Sequence, residues 1–436
     1  MISVVILAGG FGTRLKNVYG DVPKPLVKIC GVPMLELQIK KCSEQGLNTI
    51  LIVCHYGSDQ IQEQIGNGER WGVTIKYHIE TTPKGTGGAL LEVAQNLEEN
   101  ILVLFGDTYF NIDLKRFVDF HATRRADATV FAHPNDHPYD SDLLDVDQND
   151  SIIKVYGYPH REIVNCRNLV SAGMFVFNRP AIESERCDEK KIDIAKDIIP
   201  LLICQGKKIL AYVSPEYIKD AGTPERIAKV ENEIKIGLPD VLANSKKRRA
   251  VFIDRDGTII EDVGHLADPN QIKIISGAGA AIKKLNKNGY IVICITNQPV
   301  VARGCIDELQ LNEIHNRIEW LLGLEGAYID KIYYCPHHPD SGFPGEVASL
   351  KRQCTCRKPE IELFNVAQME YNIDPKCSWM VGDSTCDIKA ADNASIRSIL
   401  LATGKGGSDQ KYDVLPNFSC KNIVDAVELI LNRDRI

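Results

Sequence analysis

The chain has 436 residues, of which 44% are hydrophobic and 25% are charged, and this composition excludes a disordered chain, a collagen and a coiled coil. Its formal net charge of −7 is unlike the cationic surfaces that bind nucleic acids or membranes, so we expect neither partner. The length predicts two or three domains, each large enough to bury its own core.

The chain starts with an apolar run, Val4-Val5-Ile6-Leu7, that has no basic region before it. We interpret this run as a buried first strand rather than a signal peptide. No apolar run in the sequence approaches the ~20 residues that cross a bilayer. Because 14 cysteines occur in a long chain without an export signal, we expect reduced thiols and a cytoplasmic protein.

Short apolar runs alternate with helical patterns in both halves of the chain. In the first half the pattern predicts strands at Ser3–Leu7, Thr49–Cys54, Ile101–Phe105 and Ala128–Ala132. In the second half it predicts strands at Ala250–Ile253, Ile291–Thr296, Lys331–Cys335 and Ser378–Val381. Continuous apolar runs of this length suit strands that are buried on both faces. We therefore predict an α/β protein with two doubly wound, mostly parallel, Rossmann-like domains, whose ligands bind beyond the carboxyl ends of the strands.

The two halves meet near residue 245. A helical pattern begins at Pro224 and ends at Gly237, and the basic run Lys246-Lys247-Arg248-Arg249 comes just before the next buried strand. We predict domains at residues 1–237 and 249–436 and a linker at 238–248. The basic run is interpreted as solvated linker, with a phosphate-binding patch as the alternative.

A glycine-rich loop, Ala8-Gly9-Gly10-Phe11-Gly12-Thr13-Arg14-Leu15, directly follows the first predicted strand. Glycines let backbone N–H groups approach an anionic phosphate chain, and an arginine can hold a pyrophosphate through two hydrogen bonds. The segment Pro23-Lys24-Pro25 adds a second cation in a stiff stretch of backbone. Glycines alone would equally suit a tight turn, but the combination favours a nucleotide-phosphate site.

Leu7–Leu15 and Pro23-Lys24-Pro25-Leu26 together resemble the sugar-1-phosphate nucleotidyltransferases, over roughly residues 1 to 237. Further matches follow in order at Glu80-Thr81-Thr82-Pro83-Lys84-Gly85-Thr86-Gly87-Gly88-Ala89, Phe105-Gly106-Asp107, Ser171-Ala172-Gly173 and Asp220-Ala221-Gly222-Thr223-Pro224. The resemblance implies nucleotide contacts from Leu7, Ala8, Gly9, Gly10, Gly12, Thr13, Glu80, Gly85, Thr86 and Gly88.

The resemblance also implies a reaction, in which a sugar 1-phosphate oxygen attacks the α-phosphorus of a nucleoside triphosphate and pyrophosphate leaves. Arg14 and Lys24 would be the catalytic cations, and Gly173 would contact the sugar. Asp107 and Asp220 would hold a Mg²⁺ ion.

Two positions depart from the pattern of this family. Tyr158-Pro159 stands where many relatives have a Glu-Lys pair that holds the sugar and its phosphate, and Ser171 stands where Asn is usual. Asp140-Ser141-Asp142 either supplies replacement contacts to sugar hydroxyls or forms a solvated turn. The sugar therefore stays open at this point.

The second half carries Asp254-Arg255-Asp256-Gly257-Thr258 immediately after a predicted strand. Two carboxylates this close repel each other, and a cation relieves the repulsion, whereas an Asp-rich turn is the alternative. Together with Thr296-Asn297-Gln298, Arg357-Lys358-Pro359 and Gly382-Asp383-Ser384-Thr385-Cys386-Asp387, the motif resembles the haloacid-dehalogenase superfamily of phosphohydrolases.

This second resemblance implies that Asp254 is the nucleophile, that Asp256 is the general acid and base, and that Lys358 holds the phosphoryl group and screens Asp254. The implied substrate contacts are Thr296, Asn297 and Gln298. The implied Mg²⁺ ligands are Asp254, the Asp256 carbonyl and Asp383. We expect Asp387, one helical turn later, to orient the site without ligating.

Cys335-Pro336-His337 and Cys354-Thr355-Cys356 lie between these motifs. Three thiolates and an imidazole in paired spacing predict a closed structural Zn²⁺ site on Cys335, His337, Cys354 and Cys356, with chance reduced thiols as the alternative. Since the second pair runs directly into Arg357 and Lys358, the Zn²⁺ ion would fix these phosphate-binding cations.

A zinc loop in this position narrows the resemblance to the D,D-heptose 1,7-bisphosphate 7-phosphatases and the related histidinol-phosphate phosphatases, over about residues 249 to 405. The stretch Gln298-Pro299-Val300-Val301-Ala302-Arg303-Gly304 is similar to the Gln-Ser-Gly-Val-Ala-Arg-Gly stretch of the heptose enzymes, apart from Pro299 and Val300. By this resemblance Arg303 and Arg357 would hold the 1-phosphate that is retained.

The two resemblances together suggest a bifunctional enzyme that makes a heptose 1-phosphate and then joins it to a nucleotide. GTP is the expected donor by resemblance alone, because no residue of the sequence identifies the base. Another sugar or another donor is one alternative, and a nucleotide-sensing first half with only the phosphatase active is another. The sequence allows a homo-oligomer without indicating one.

Overall fold

A computed structural model of the protein describes residues 2–10, 12, 14–160, 166–183, 185, 191–342 and 344–434. The chain divides into two compact units. The first contains residues 1–133, 142–159 and 170–245, and the second contains residues 134–141, 160–169 and 246–436. Two short stretches of the first half of the sequence thus belong to the second unit. Within the described ranges, no helix combines the length and the apolar character needed to span a bilayer.

The first unit contains a mixed sheet, two small antiparallel ribbons and the helices around them. The strands are β1 (Ile2–Leu7), β2 (Lys28–Ile29), β3 (Val32–Pro33), β4 (Thr49–Cys54), β5 (Thr74–Ile79), β6 (Asn100–Phe105), β7 (Thr108–Asn111), β8 (Ala128–His133), β9 (Leu143–Val146), β10 (Ile152–Tyr156), β11 (Val170–Asn178), β12 (Ile209–Val213) and β13 (Tyr217–Asp220). The α-helices are α1 (Lys16–Tyr19), α2 (Met34–Glu44), α3 (Ser58–Ile65), α4 (Gly85–Val93), α5 (Leu114–Arg124), α6 (Ile199–Cys204), α7 (Pro224–Lys235) and α8 (Leu238–Val241). One π-helical turn leads into α6 at Ile194–Ile198, and 3₁₀ turns lie at Lys24–Leu26, Glu69–Trp71, Ala94–Asn96 and Arg179–Ala181.

The large sheet has the strand order β10-β9-β11-β6-β1-β4-β5 in the described part of this unit, and β8 also pairs with β11 while β12 pairs with β8. Strands β6, β1, β4 and β5 are mutually parallel, whereas β11 runs antiparallel to β6. Strand β1 is buried on both faces, because Val4 and Ile6 pack into one hydrophobic core and Val5 packs into the other. The carboxyl ends of these parallel strands therefore meet at one edge.

The second unit is built on a parallel sheet. Its strands are β14 (Ala250–Ile253), β15 (Ile291–Asn297), β16 (Lys331–Cys335), β17 (Trp379–Gly382), β18 (Arg397–Leu401) and β19 (Phe418–Cys420). Its α-helices are α9 (Ala278–Lys287), α10 (Pro299–Ala302), α11 (Glu308–Leu324), α12 (Glu362–Glu370), α13 (Thr385–Asn393) and α14 (Ile423–Arg433). 3₁₀ turns lie at Pro138–Asp140, Pro269–Gln271, Ala348–Leu350 and Pro375–Cys377. The strand order is β16-β15-β14-β17-β18-β19, so β14 lies between β15 and β17.

Residues 166–169 are held to helix α11 of the second unit by a buried carboxylate. The backbone N–H of Asn168 donates to Glu319 Oε2 at 2.7 Å, and Arg167 Nε lies 3.7 Å from Glu319 Oε1. Glu319 is 2% exposed, and burial raises its pKa. A buried carboxylate needs such partners, so these contacts stabilise the placement of the stretch.

The predicted fold class is confirmed, since both units are α/β and their sheets are mostly parallel. Each of the eight predicted strands is present, and each end differs from its prediction by at most one residue. The predicted helix that starts at Pro224 is α7.

Candidate functional sites

A cavity of ≈ 270 Å³ lies beyond the carboxyl ends of β1, β4 and β6 in the first unit. Its lining residues are Leu7, Ala8, Gly9, Gly10, Gly12, Lys24, Pro25, Val53, Glu80, Pro83, Gly85, Thr86, Ala89, Phe105, Gly106, Asp107 and Lys191. Eight of the ten residues predicted to contact a nucleotide are among them. Gly88 is buried in α4 and does not line the cavity, and Thr13 lies outside the described residues.

The loop that follows β1 is held at its start by neighbouring strands. The N–H of Ala8 donates to the Val53 carbonyl at 2.7 Å, and the N–H of Gly106 donates to the Leu7 carbonyl at 2.9 Å. A Cβ atom at Gly9 would lie only 2.8 Å from Glu80 Oε2. A side chain at position 9 would therefore displace the Glu80 carboxylate from its place against the loop backbone.

The Glu80 side chain is 6% exposed and borders the cavity. The N–H of Lys84 donates to Glu80 Oε1 at 3.2 Å, and His55 Nδ1 lies 2.9 Å from the Glu80 carbonyl oxygen. The carboxylate is thus fixed by the backbone that begins α4. It presents only acceptor oxygens to a ligand in the cavity.

Two carboxylates and a lysine come together at the edge of the same cavity. The ammonium of Lys24 forms an ion pair with Asp107. A Cβ atom at Gly222 would lie 2.7 Å from Asp220 Oδ1 and 2.8 Å from Lys24 Nζ, so Asp220 lies near the same lysine. The strand pair β7–β13 sets this arrangement, because Asp220 lies opposite Thr108. Carboxylate oxygens at the edge of a cavity fit a Mg²⁺ ion, which takes one or two carboxylates together with substrate phosphates.

Arg14 and Gly173 are not brought into the cavity wall. Arg14 is exposed and is not among the lining residues. Gly173 lies in β11, and a Cβ atom there would approach Phe105 Cδ2 to 2.8 Å. Their roles in catalysis and sugar binding stay predictions.

The stretch for which two interpretations were open makes internal contacts. His137 Nδ1 lies 2.7 Å from Asp140 Oδ1, and the Ser141 hydroxyl donates to the His137 carbonyl at 3.0 Å. In the first unit, Asp142 accepts a hydrogen bond of 2.7 Å from the N–H of Tyr158. These contacts favour the interpretation of residues 140–142 as a turn.

Gln38 is a residue that the sequence analysis missed. It lies on α2, is 2% exposed, and donates from Nε2 to the carbonyls of Phe105 at 2.9 Å and Thr108 at 2.7 Å. These two carbonyls flank Asp107, so Gln38 fixes the turn that carries this carboxylate. The signal in the sequence is a polar residue on the inner face of α2, next to the buried Leu35 and Ile39.

Lys191 is a second missed residue, since it lines the cavity without any motif to mark it. The next residue, Ile192, donates its N–H to the Lys84 carbonyl at 2.9 Å, which holds this stretch against the start of α4. No local sequence pattern links residues 191 and 84.

In the second unit, a lysine and two aspartates form a buried charged cluster. Lys358 Nζ lies 2.6 Å from Asp254 Oδ1, 2.6 Å from Asp387 Oδ1 and 2.6 Å from the Ile295 carbonyl oxygen. Asp254 directly follows β14, and the Lys358 side chain is 3% exposed. The predicted nucleophile and the predicted phosphate-binding lysine are therefore in direct contact.

Three carboxylates in this cluster can share a cation. Asp254, Asp383 and Asp387 can each place one oxygen within 4.8 Å of the others. Burial is the main cause that raises the pKa of Asp254, with Lys358 opposing it, and burial raises the pKa of Asp383 to about 6. Buried acids of this kind are ionised when a cation compensates them, so the donor set fits Mg²⁺.

Asp387 has a second function in the fold. Its Oδ2 accepts hydrogen bonds from the Ser384 N–H at 3.1 Å and the Ser384 hydroxyl at 2.6 Å. The bond from the Ser384 N–H is part of a capping box at the start of α13. The other oxygen of Asp387 lies 2.6 Å from Lys358 Nζ, so the residue contacts the cluster, and its role as an orienting group that does not ligate stays a prediction.

The side chains of the Thr296-Asn297-Gln298 motif bind protein groups. Asn297 Oδ1 accepts from the Lys358 N–H at 3.0 Å, and Asn297 Nδ2 donates to the Lys358 carbonyl at 3.1 Å. Gln298 Nε2 donates to Thr296 Oγ1 at 2.7 Å and to Asp256 Oδ2 at 2.9 Å. Asn297 thus holds the backbone of Lys358, and Gln298 holds the second aspartate of the motif. Their substrate contacts stay predictions.

The four predicted Zn²⁺ ligands lie in one cluster. The Sγ atoms of Cys335, Cys354 and Cys356 are 3.2–3.5 Å apart, and His337 Nδ1 lies 3.2 Å from Cys356 Sγ. A disulfide has an S–S length of about 2.05 Å, whereas a tetrahedron of thiolates at about 2.3 Å from Zn²⁺ has edges of about 3.8 Å. Burial raises the pKa of Cys356 to about 11, so a cation such as Zn²⁺ is needed to hold this side chain in the thiolate form at neutral pH. The geometry and donor set fit Zn²⁺.

The cationic side chains expected to hold the second phosphate lie near this cluster. Arg357 Nη1 donates to the His337 carbonyl at 3.1 Å, which ties the guanidinium directly to the predicted zinc loop. Arg303 pairs with His265. Burial and the charges of Arg357 and Arg303 lower the pKa of His338, which places all three groups in one electrostatic neighbourhood.

Comparison with known proteins identifies relatives of both halves. The family model described as nucleotidyl transferase matches residues 3–236, and the HAD-hydrolase-like model matches residues 355–426. The D-glycero-beta-D-manno-heptose-1,7-bisphosphate 7-phosphatase of Haemophilus ducreyi is 37% identical over 188 residues, which are 42% of this chain and 98% of that protein. The enzyme of the same name from Photorhabdus laumondii is 41% identical over 157 residues, 36% of this chain and 81% of that protein.

Two solved structures are similar to the two halves. HddC from Yersinia pseudotuberculosis complexed with GMP-PN is 28% identical and covers 54% of this chain and 100% of its own, with a TM-score of 0.46. The D,D-heptose 1.7-bisphosphate phosphatase from B. bronchiseptica complexed with magnesium and phosphate is 29% identical and covers 42% of this chain and 99% of its own, with a TM-score of 0.38.

The nucleotidyl transferase model covers more than half of the 436 residues, so the match assigns the first half to that family. The second half aligns with nearly the whole length of a phosphatase. The chain is a fusion enzyme with transferase and phosphatase halves, and it belongs to the nucleotidyl transferase family through its first half and to the heptose bisphosphate phosphatase family through its second.

Proposed function

We propose that the protein removes the 7-phosphate of D-glycero-D-manno-heptose 1,7-bisphosphate and transfers a guanylyl group to the resulting heptose 1-phosphate, which yields GDP-heptose and pyrophosphate. The observation that carries this proposal is the contact of Lys358 with Asp254, in one chain with a cluster of zinc-type Cys and His donors and a cavity of ≈ 270 Å³ that the glycine-rich loop lines. We assign the transferase to residues 1–237, the phosphatase to 249–436 and a linker to 238–248. The cytoplasmic location and a homo-oligomer stay predictions.

In the phosphatase reaction, a carboxylate oxygen of Asp254 attacks the 7-phosphorus and the bond from phosphorus to the sugar oxygen breaks. Asp256 gives its proton to that oxygen, so the sugar leaves as the alcohol. Asp256 then takes a proton from water, which attacks the aspartyl-phosphate and releases inorganic phosphate. Lys358 neutralises charge on the phosphoryl group throughout. A Mg²⁺ ion on Asp254, the Asp256 carbonyl and Asp383 would stabilise the same charge.

In the transferase reaction, an oxygen of the heptose 1-phosphate attacks the α-phosphorus of GTP and pyrophosphate leaves. The chain forms no covalent bond to either substrate, so its contribution is positioning and charge neutralisation. The glycine loop after β1 supports the phosphates, and Lys24 compensates their charge. Asp107 and Asp220 would hold a Mg²⁺ ion, which supplies further neutralisation.

Glu80 supports guanine as the base. Guanine presents two adjacent donors, N1–H and the N2 amino group, to a carboxylate that can only accept. Adenine and cytosine place an acceptor beside their donor, and thymine and uracil flank one donor with two acceptors. A buried carboxylate fixed at the cavity wall therefore favours guanine over the other bases.

Pyrophosphate release from GTP, ATP, CTP and dTTP with heptose 1-phosphate tests the transferase proposal. We expect GTP to be used preferentially, and we expect Glu80→Gln to reduce its kcat/KM by about tenfold to hundredfold, the value of one good bidentate contact to a base. Preference for another donor would replace guanine. No release with any donor would leave a nucleotide-sensing module.

Phosphate release from heptose 1,7-bisphosphate tests the phosphatase proposal. Asp254→Asn should abolish phosphate release and leave nucleotidyl transfer to supplied heptose 1-phosphate intact. Loss of both reactions would contradict two separate sites. The Zn²⁺ content of the purified protein, measured by metal analysis, tests the zinc assignment, and Cys354→Ser is expected to reduce that content.

A further inference from the structure

The carboxylate of Asp256 is held on two sides by side chains of the second unit. Arg255 Nη2 donates to Asp256 Oδ1 at 2.9 Å, and Arg255 Nε lies 3.1 Å from Oδ2. Gln298 Nε2 donates to Asp256 Oδ2 at 2.9 Å. The Asp256 side chain is 23% exposed, whereas that of Arg255 is only 2% exposed. The Asp256 carboxylate is therefore partly accessible from outside, whereas the Arg255 side chain that contacts it is buried.

The support is itself held in one orientation. Arg255 Nη2 donates to Gln298 Oε1 at 2.7 Å, and Arg255 Nη1 lies 3.4 Å from His315 Nε2 on α11. Oε1 of Gln298 accepts from the Arg255 guanidinium, so the amide NH₂ group of Gln298 faces Asp256 and Thr296. A flipped amide would place this NH₂ group against the N–H donors of Arg255. Burial lowers the pKa of His315 well below its usual range, so a neutral ring faces the arginine.

These contacts argue against a substrate-binding role for either side chain. The Arg255 guanidinium is buried and its donors are directed at Asp256, Gln298 and His315. Gln298 is 2% exposed, and both ends of its amide are bonded within the protein. A phosphate in the site would have to break these bonds to reach them. What both side chains share is contact with Asp256.

We propose that Arg255 and Gln298 are positioning residues that fix the Asp256 carboxyl group where it can protonate the leaving sugar oxygen and later deprotonate water. This inference rests on the role given to Asp256 in the proposed function. A positioned acid or base contributes about 10²–10⁴-fold to a rate, so its misplacement removes part of that factor.

The test compares two substrates of the full-length protein. Heptose 1,7-bisphosphate has an alcohol leaving group that needs a proton, whereas p-nitrophenyl phosphate has a phenolate leaving group that needs none. Arg255→Met and Gln298→Met should lower kcat/KM for the heptose bisphosphate by about 10–100-fold and change kcat/KM for p-nitrophenyl phosphate by less than about threefold. Because water activation also needs Asp256, both variants should show a burst of nitrophenol from accumulated aspartyl-phosphate.

Arg248→Met is the matched control, since Arg248 is a buried arginine of the same unit that donates to the Tyr371 carbonyl. It should affect both substrates equally and give no burst. Gln298→Met keeps the test open if the arginine variant fails to fold, because it removes no charge. Arg255→Lys should recover part of the selective loss.

An equal loss for both substrates in Arg255→Met and Gln298→Met, without a burst, would overturn the positioning roles. Asp256→Asn separates this failure from failure of the proposed function. If Asp256→Asn shows the selective loss and the other two variants do not, positioning is wrong. If Asp256→Asn itself affects both substrates equally, the acid–base role of Asp256 is wrong.

Discussion

Replacement of Lys358 by methionine should destabilise the second unit and stop the phosphatase. Lys358 Nζ is buried between Asp254 and Asp387, at 2.6 Å from an oxygen of each. Methionine fills much of the same volume without the charge. The variant therefore leaves two buried carboxylates facing each other with no cation between them.

Removing one partner of a buried ion pair costs about 3–5 kcal/mol of stability. We expect a loss in this range for Lys358→Met in magnesium-free buffer. Burial already raises the pKa of Asp254, so the unpaired acid takes up a proton as the pH falls. The proton replaces the missing cation, and the loss should accordingly be smaller at pH 6 than at pH 8. Because the variant also lacks the ammonium that neutralises the phosphoryl group, phosphate release should be abolished at both pH values.

Urea unfolding followed by tryptophan fluorescence measures this loss, because Trp320 and Trp379 are two of the three tryptophans and both lie in the second unit. A Trp71→Phe background removes the signal of the first unit. The matched control is Lys389→Met, which breaks a surface pair of 2.8 Å with Asp392 and should cost less than about 1 kcal/mol.

A double-mutant cycle with Asp387→Asn tests the cause. The double variant should be more stable than Lys358→Met alone, since one of the two unpaired charges is gone, with an interaction energy of about 0.5–3 kcal/mol. A loss below about 1 kcal/mol in Lys358→Met, or no interaction energy in the cycle, would refute the claim that this lysine compensates buried carboxylates.

Three further results are expected. Cys356→Ser should loosen Arg357 and reduce phosphatase kcat/KM by about tenfold or more, the value of one charge-assisted hydrogen bond. Pyrophosphate release in the same sample should stay unchanged. Full phosphatase activity in a zinc-free variant would contradict this expectation. Burial raises the pKa of Asp383 to about 6, so below that pH Mg²⁺ must displace a proton from this carboxyl group. The Mg²⁺ affinity, measured by calorimetry, should therefore fall by about tenfold per pH unit below pH 6. A constant affinity from pH 5 to 7 would speak against Asp383 as a ligand. Gln38→Leu should displace Asp107 and so raise the Mg²⁺ concentration required for nucleotidyl transfer by about tenfold. Phosphate release in the same sample is the internal control. An unchanged Mg²⁺ requirement would show that Gln38 does not position Asp107.

Much of the fold and many site residues were predictable because their signals are local. The apolar run Ala250–Ile253 is a buried strand, and the motif beginning at Asp254 follows it within the next residues. The paired spacing of Cys354 and Cys356 likewise marks, in the sequence itself, the loop where the Cys/His cluster forms. In each case the residues that carry the chemistry are neighbours in the chain, so the sequence pattern and the structure describe the same segment.

What the sequence did not reveal depends on contacts between distant residues. Gln38 is 67 residues from Phe105, whose carbonyl it binds, and the support of Asp256 by Gln298 crosses 42 residues. Arg255 was visible in the motif, but only the structure shows that its side chain folds back onto Asp256. Such side chains are polar and buried, and only their three-dimensional placement shows which groups they hold.

The two stretches of the first half that belong to the second unit, residues 134–141 and 160–169, have a consequence for how the enzyme can be divided. A gene cut at codon 246 would encode a phosphatase half in which Glu319 loses both the N–H of Asn168 and the guanidinium of Arg167. That fragment would bury a carboxylate without partners or expose a surface that is covered in the intact chain. The two activities are therefore joined by shared architecture as well as by a peptide linker, and a functional split needs a redesigned α11 rather than a new start codon.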